Sequence, residues 1–63
     1  IYMLAQAPIV NYEVYLINQG YVCAGTNTFE QAMKIAKNTG FECNIYAINS
    51  STPHQPVATT KVI

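Results

Sequence analysis

The sequence contains no arginine, no aspartate and no tryptophan, and its few charges cancel because three lysines balance three glutamates. Arginine is the usual bidentate ligand of phosphate and guanine, so its absence argues against nucleic-acid binding through a basic surface. A pair of catalytic carboxylates would have to come from Glu13, Glu30 and Glu42, which the strand and helix pattern separates. The composition therefore predicts a protein that is not an enzyme.

Cysteine and histidine are also scarce. Cys23 and Cys43 are the only two cysteines, and their positions in two predicted strands put them on opposite sheet faces, so we expect free thiols. Together with the single histidine, His54, they fall short of the usual set of zinc ligands. The chain also lacks the glycine spacing and the lysine of a phosphate loop. We therefore predict no catalytic residues, no cofactor and no metal site.

Long apolar runs are missing as well. No run approaches the roughly 20 residues that span a bilayer, and residues 1–7 lack the basic leader and the length of a signal peptide. The apolar fraction of 51% is that of a folded domain. We expect one cytoplasmic domain, residues 1–63, without membrane contact. At this size a core is only marginally sufficient, and self-association often adds stability.

Residues 28–40 carry the strongest secondary-structure signal. Thr28 and Gln31 have the spacing of a capping box, Glu30 complements the positive end of the helix dipole, and Gly40 ends the helix in a left-handed conformation. An apolar stripe at three-and-four spacing is formed by Phe29, Ala32, Met33 and Ala36, with Ile35 at its side. The stretch predicts one helix that covers a sheet.

Three segments have the alternation of strands, namely residues 9–17, 21–24 and 41–48. Residues 49–56 have the composition of a loop, and residues 57–63 predict either an edge strand or a mobile tail. Residues 1–5 fit a short strand or a terminal arm. The fold class is therefore α+β, a small antiparallel sheet with one helix packed on one face in the order β-β-α-β, with room for an extra terminal strand.

The triplet Asn18-Gln19-Gly20 predicts a hairpin turn in which Gly20 takes a positive φ. In that register Ile17 faces Tyr21, and Leu16 shares the helix-facing side with Val22. The predicted core comprises Val10, Tyr12, Val14, Leu16, Val22, Ala24, Phe41, Cys43, Ile45 and Ala47. The predicted outer face collects Tyr15, Ile17, Tyr21, Cys23, Tyr46 and Ile48 beside three polar residues.

An outer face this apolar predicts a contact surface, since tyrosine is large, stiff and amphipathic. Its partner-binding residues would be Tyr15, Ile17, Tyr21, Tyr46 and Ile48. Two alternatives stay open: residues 1–4 or 57–63 cover the face, or it docks onto a second copy or another protein. An exposed edge strand offers a further docking mode. A homo-oligomeric inhibitor or adaptor, of the kind that phages encode against host factors, fits this composition.

Two other functions remain as alternatives. The tyrosines could stack on the bases of a single-stranded nucleic acid, although only Lys34, Lys37 and Lys61 would supply positive charge. The chain could also form an oligomer that sequesters a small anion, bound weakly at the helix start by Gly25, Thr26, Asn27 and Thr28. A strand-to-helix turn with an N-cap already accounts for those four residues.

Overall fold

A computed structural model describes residues 10–61, so the expectations for residues 1–5 and for the last two residues lie outside the described part of the chain. Its elements are β1 (Tyr12–Leu16), β2 (Tyr21–Thr26), α1 (Phe29–Thr39), β3 (Cys43–Ala47) and β4 (Pro56–Thr60). One helix packs on a four-stranded antiparallel sheet, which confirms the predicted α+β class. Within residues 10–61 no helix combines the length and apolarity needed to cross a membrane.

The sheet has the order β2-β1-β3-β4, with each neighbouring pair antiparallel. Because β2 and β3 flank β1, the connection through α1 crosses over the central strand and lays the helix on one face. β4 lies beside β3 as an edge strand. The segment from Pro56 to Thr60 therefore extends the sheet and does not cover its outer face.

Helix α1 begins and ends where the sequence indicates. The Thr28 hydroxyl accepts from the Gln31 amide at 3.2 Å, and Gly40 has φ 76°. Only this first bond of the capping box is formed in the described residues. Ala32 and Ala36 are fully buried, since their small side chains allow the helix to approach the sheet closely.

The core is thin. Six apolar side chains are buried within the described residues: Val14, Leu16, Ala32, Ala36, Cys43 and Ile45. Phe41 was predicted among them but is 49% exposed. It precedes β3, which starts at Cys43, so it is outside the alternation of the strand and on the surface beside the end of the helix.

The predicted register of the first hairpin was wrong by one residue. The loop has four residues, 17–20, closed by a 2.8 Å bond from the Gly20 amide to the Leu16 carbonyl, and Gly20 has the predicted positive φ of 78°. Leu16 therefore pairs with Tyr21, and Tyr15 pairs with Val22. Opposed residues share a face, so Tyr21 is on the helix side and Val22 on the outer side, the reverse of the prediction.

A bulge restores the expected phase beyond that point. Val14 pairs with Ala24 while Tyr15 pairs with Val22, which leaves Cys23 as the extra residue of β2. Such an insertion shifts the alternation by one residue and increases the local twist. Ala24 consequently packs against the core as predicted, even though the hairpin loop is longer than expected.

Val10, another predicted core residue, lies against Gly25 of β2. A Cβ at Gly25 would be only 2.8 Å from Val10 Cγ1. Gly25 pairs with Glu13, whose side chain is on the outer face, so we place Val10 on that side rather than in the core. Gly25 was predicted as part of a turn, but β2 extends through it because a residue without a side chain leaves space for Val10.

Candidate functional site

The outer sheet face brings together two of the predicted docking tyrosines. Tyr15 on β1 and Tyr46 on β3 have ring centroids 6.2 Å apart, with the ring planes at 76°. They are diagonal neighbours, because Tyr46 is opposite Glu13 and Tyr15 is opposite Asn44. This edge-to-face arrangement is a favourable aromatic geometry and fixes the two rings as one surface.

An open depression of ≈310 Å³ surrounds this pair. It is lined by Glu13, Tyr15, Val22, Tyr46, Ile48, Pro53 and His54. Val22 is 44% exposed, which leaves a branched apolar side chain at the β2 side of the depression. The tyrosine pair, Val22 and the β3–β4 connection together form what we call the outer-face depression.

Four of these lining residues were not predicted as docking residues. Glu13 was placed on the outer face, but only as a polar neighbour of the docking residues. Val22 was assigned to the core because the hairpin register was off by one. Pro53 and His54 belong to the β3–β4 connection, and nothing in the local sequence indicates that this loop reaches the outer face. If the sequence had indicated that residues 57–63 pair with the third strand, we would have expected this connection to lie near Tyr46.

Two consecutive side-chain hydrogen bonds hold Tyr46 in place. Thr59 Oγ1 donates to Asn44 Oδ1 at 2.7 Å, and Asn44 Nδ2 donates to Tyr46 Oη at 3.1 Å. The Tyr46 oxygen acts as the acceptor, so its own hydroxyl proton is not used in this bond. The ring is therefore pre-oriented, and a binding partner does not have to order it.

The charge of the depression is negative. Among the glutamate and lysine side chains of the described residues, Glu13 is the one that lines it. Lys34 and Lys37 are on α1, which packs on the opposite face, and Lys61 follows the end of β4. The aromatic surface and the lysines of the described chain are thus in different places.

Two of the predicted docking residues are elsewhere. Tyr21 is 56% exposed but pairs with Leu16 on the helix side. Ile17 is in the hairpin loop, where its amide donates to the Glu42 carbonyl at 3.0 Å. Neither lines the outer-face depression, so the structure joins Tyr15, Tyr46 and Ile48 and separates Tyr21 and Ile17 from them.

Of the four residues predicted to hold an anion, Thr26, Asn27 and Thr28 use their polar side chains in hydrogen bonds within the protein. Thr26 Oγ1 donates to the Thr28 carbonyl at 2.9 Å, and Thr28 Oγ1 accepts from the Gln31 amide. Asn27 Oδ1 accepts from Asn11 at 2.9 Å. Gly25 is covered by Val10. These contacts provide no support for an anion at the helix start.

Three asparagines form a clamp beside that turn. Asn11 Nδ2 donates to the carbonyl and Oδ1 of Asn27, and Asn49 Nδ2 donates to Asn11 Oδ1 at 3.0 Å and to the Val10 carbonyl at 3.1 Å. The clamp links the start of β1 with the turns that follow β2 and β3. It borders an open cavity of ≈470 Å³. The asparagine side chains bond to one another and to nearby backbone carbonyls, so we interpret the clamp as a structural element.

The cysteines are free thiols, as predicted. Cys23 is exposed on β2, and Cys43 is buried with Sγ 3.4 Å from the Phe41 carbonyl. Partial desolvation by the surrounding atoms, and secondarily Cys43, raise the pKa of the Cys23 thiol. Among residues 10–61, no three His, Cys or acidic side chains gather in a metal-binding cluster.

The sequence was also compared with known proteins. It has no significant match to a protein-family model, to a curated protein or to a solved structure.

Proposed function

We propose that this protein is a non-enzymatic binding module that docks through the outer-face depression onto a protein partner, with a second copy of the chain as its first partner. The observation that carries the proposal is the pre-oriented Tyr15–Tyr46 pair in an open surface. Aromatic residues that are held rigidly by their neighbours are typical of the centre of protein interfaces.

The thin core supports self-association. The largest fully buried side chains are Ile45, Val14 and Cys43, and a domain of this size buries a smaller fraction of its surface on folding than larger domains do. Covering Tyr15, Tyr46 and Val22 with a second copy would remove further apolar area from water, each Å² contributing about 25 cal/mol. The proposal also includes a cytoplasmic role as an inhibitor or adaptor.

A protein fits this face better than a nucleic acid does. Base stacking on Tyr15 and Tyr46 would bring phosphates towards Glu13, while the described lysines are away from the face. Single-strand binding depends strongly on lysine and arginine near the backbone. Stacking therefore remains the alternative that a salt-dependent titration with an unstructured oligonucleotide would reveal.

The test compares three aspartate variants by molar mass in solution. Tyr15→Asp and Tyr46→Asp place a charge in the outer-face depression, whereas Tyr21→Asp places the same charge on the other side of the sheet. Multi-angle light scattering over a range of concentrations should show self-association of the wild type and of Tyr21→Asp. Tyr15→Asp and Tyr46→Asp should remain monomers at concentrations at least ~10-fold higher, because a carboxylate buried without a partner opposes docking.

Circular dichroism of each variant separates loss of docking from loss of folding. A folded Tyr46→Asp variant with wild-type mass would contradict the proposed face. A Tyr21→Asp variant that loses self-association equally would move the interface to the helix side. A wild-type protein that is monomeric at every concentration would contradict the proposal that a second copy of the chain docks on this face.

A further inference from the structure

We propose that pH controls the docking of two copies through the outer-face depression, with His54 of each copy facing Glu13 of the other. The inference rests on the function proposed above and adds the group that regulates it. Both side chains line the depression. Three observations carry the inference: the places of the two residues around Tyr46, the charge of the face in each protonation state, and the single histidine of the chain.

Tyr46 lies between the strand that carries Glu13 and the strand that follows His54. Glu13 on β1 is opposite Tyr46 on β3. The chain then passes through His54 and returns as β4, where Pro56 is opposite Tyr46 from the other side. In a symmetric pair each contact between two residues occurs twice. A twofold axis near Tyr46 therefore brings Glu13 of each copy towards His54 of the other.

The face opposes its own docking while His54 is neutral. Glu13 is then the one charged side chain among the described residues that line the depression, so docking brings two carboxylates together. Glu13 is half-buried in the single copy, and a second copy would remove more of its water. A carboxylate that loses water without gaining a partner disfavours the docked state.

Protonation of His54 removes this opposition. Each face then carries one positive and one negative side chain, so the net repulsion between the two copies disappears. His54 is exposed and therefore accessible to the Glu13 carboxylate of a second copy, and symmetry gives two such ion pairs. Docking should strengthen as the pH falls from about 7.5 to about 5.5, the range in which histidine usually gains its proton.

The other groups around His54 keep their charge in this range. Tyrosine hydroxyls usually ionise at about pH 10 and glutamate carboxyls at about pH 4. The rest of the lining is apolar: Val22, Ile48 and Pro53. His54 is the single histidine of the chain. A terminal amino group also titrates near neutral pH, and a variant of His54 retains it, so the two contributions can be separated.

The test measures the dissociation constant of the pair by sedimentation equilibrium at about pH 5.5, 6.5 and 7.5 and constant ionic strength. The wild type should associate about three- to thirtyfold more tightly at the lowest pH than at the highest, because two ion pairs of ordinary surface strength form. Raised salt should reduce this difference. Circular dichroism at each pH verifies that the protein is folded.

Two variants identify the groups. His54→Gln cannot gain the charge, so it should associate as weakly at every pH as the wild type does at about pH 7.5. Glu13→Gln should reverse the pH dependence, because it removes the repulsion at high pH and leaves two unpaired histidinium groups at low pH. Glu30→Gln is the matched control: it removes a carboxylate from α1, on the other face of the sheet, and should keep the wild-type pH dependence.

The outcomes separate this inference from the docking on which it rests. A wild type that associates equally at all three pH values overturns the pH control and leaves the docking intact. A wild-type pH dependence in His54→Gln, or in Glu13→Gln, also overturns the control. A wild type that is monomeric at every pH contradicts the docking itself, and the pH control with it.

Discussion

Tyr21 pairs with Leu16 across the first hairpin, which puts it on the opposite sheet face from Tyr15. The four-residue loop produces this arrangement, and the bulge at Cys23 restores the predicted faces only from Ala24 onwards. As a result, the three tyrosines that were predicted to share the outer face divide between the two faces of the sheet. Tyr15 and Tyr46 form one aromatic unit, and Tyr21 becomes the natural control for it.

The hairpin loop depends on the left-handed backbone of Gly20. Gly20→Ala should lower the free energy of unfolding by about 1–2 kcal/mol, because an L-residue with a Cβ is strained at φ 78°. Gly20→Asn should lose less, since asparagine tolerates this region better. Urea denaturation of the three proteins measures the difference. Equal stability of the alanine variant and the wild type would contradict the loop conformation.

Gly25 and Val10 are coupled by close contact. Gly25→Ala should destabilise the protein by ~1 kcal/mol or more, because the new methyl group would be 2.8 Å from Val10 Cγ1. Val10→Ala removes that methyl group, so the double variant should recover part of the loss. A double-mutant cycle by thermal unfolding measures the coupling. Strictly additive effects would show that Val10 does not pack over Gly25.

The asparagine clamp should contribute to stability. Asn11→Ala removes hydrogen bonds to Asn27 and Asn49, and we expect a loss of roughly 1–2 kcal/mol in the free energy of unfolding. Asn38→Ala, on the exposed surface of α1, is the matched control and should change stability little. Amide exchange should accelerate at the turns after β2 and β3 in the Asn11 variant alone. Comparable effects of the two variants would exclude a specific clamp.

The two thiols should differ in reactivity. In the native protein iodoacetamide should modify Cys23, which is exposed, and not Cys43, which is buried. The raised pKa of Cys23 means that the folded state holds this proton more tightly than the unfolded state. Alkylation at a given alkaline pH should therefore be slower than in urea, and the contribution of Cys23 to stability should fall as the pH rises above the ordinary thiol range.

Cys23→Ser provides the control for both measurements. It should abolish labelling of the native protein. The free energy of unfolding of this variant should also fall less steeply with pH in the alkaline range than that of the wild type. Rapid labelling of Cys43 in the folded Cys23→Ser variant would show that the core opens readily. Mass spectrometry of the modified chain distinguishes these outcomes.

Local chemistry determined several features that the sequence alone predicted. The helix follows from Thr28, its apolar stripe and Gly40, because capping and periodicity act within a few residues of the chain. Alternation in β1 and β3 likewise indicated which residues face the helix. The positive φ of Gly20 followed from turn chemistry, since glycine is the residue that adopts it without strain.

Long-range packing decided the rest. A hairpin loop one residue longer than predicted exchanges the faces of Tyr21 and Val22. The bulge at Cys23 then returns Ala24 to its predicted face. Neither the longer loop nor the bulge has a distinct local signal in the sequence. Pro53 and His54 line the same depression as Tyr46 because β4 pairs with β3. Sequence alone therefore determined the class of the fold and the inner face of its helix, and tertiary structure determined which side chains share a surface, because register and strand order are set by contacts between distant segments.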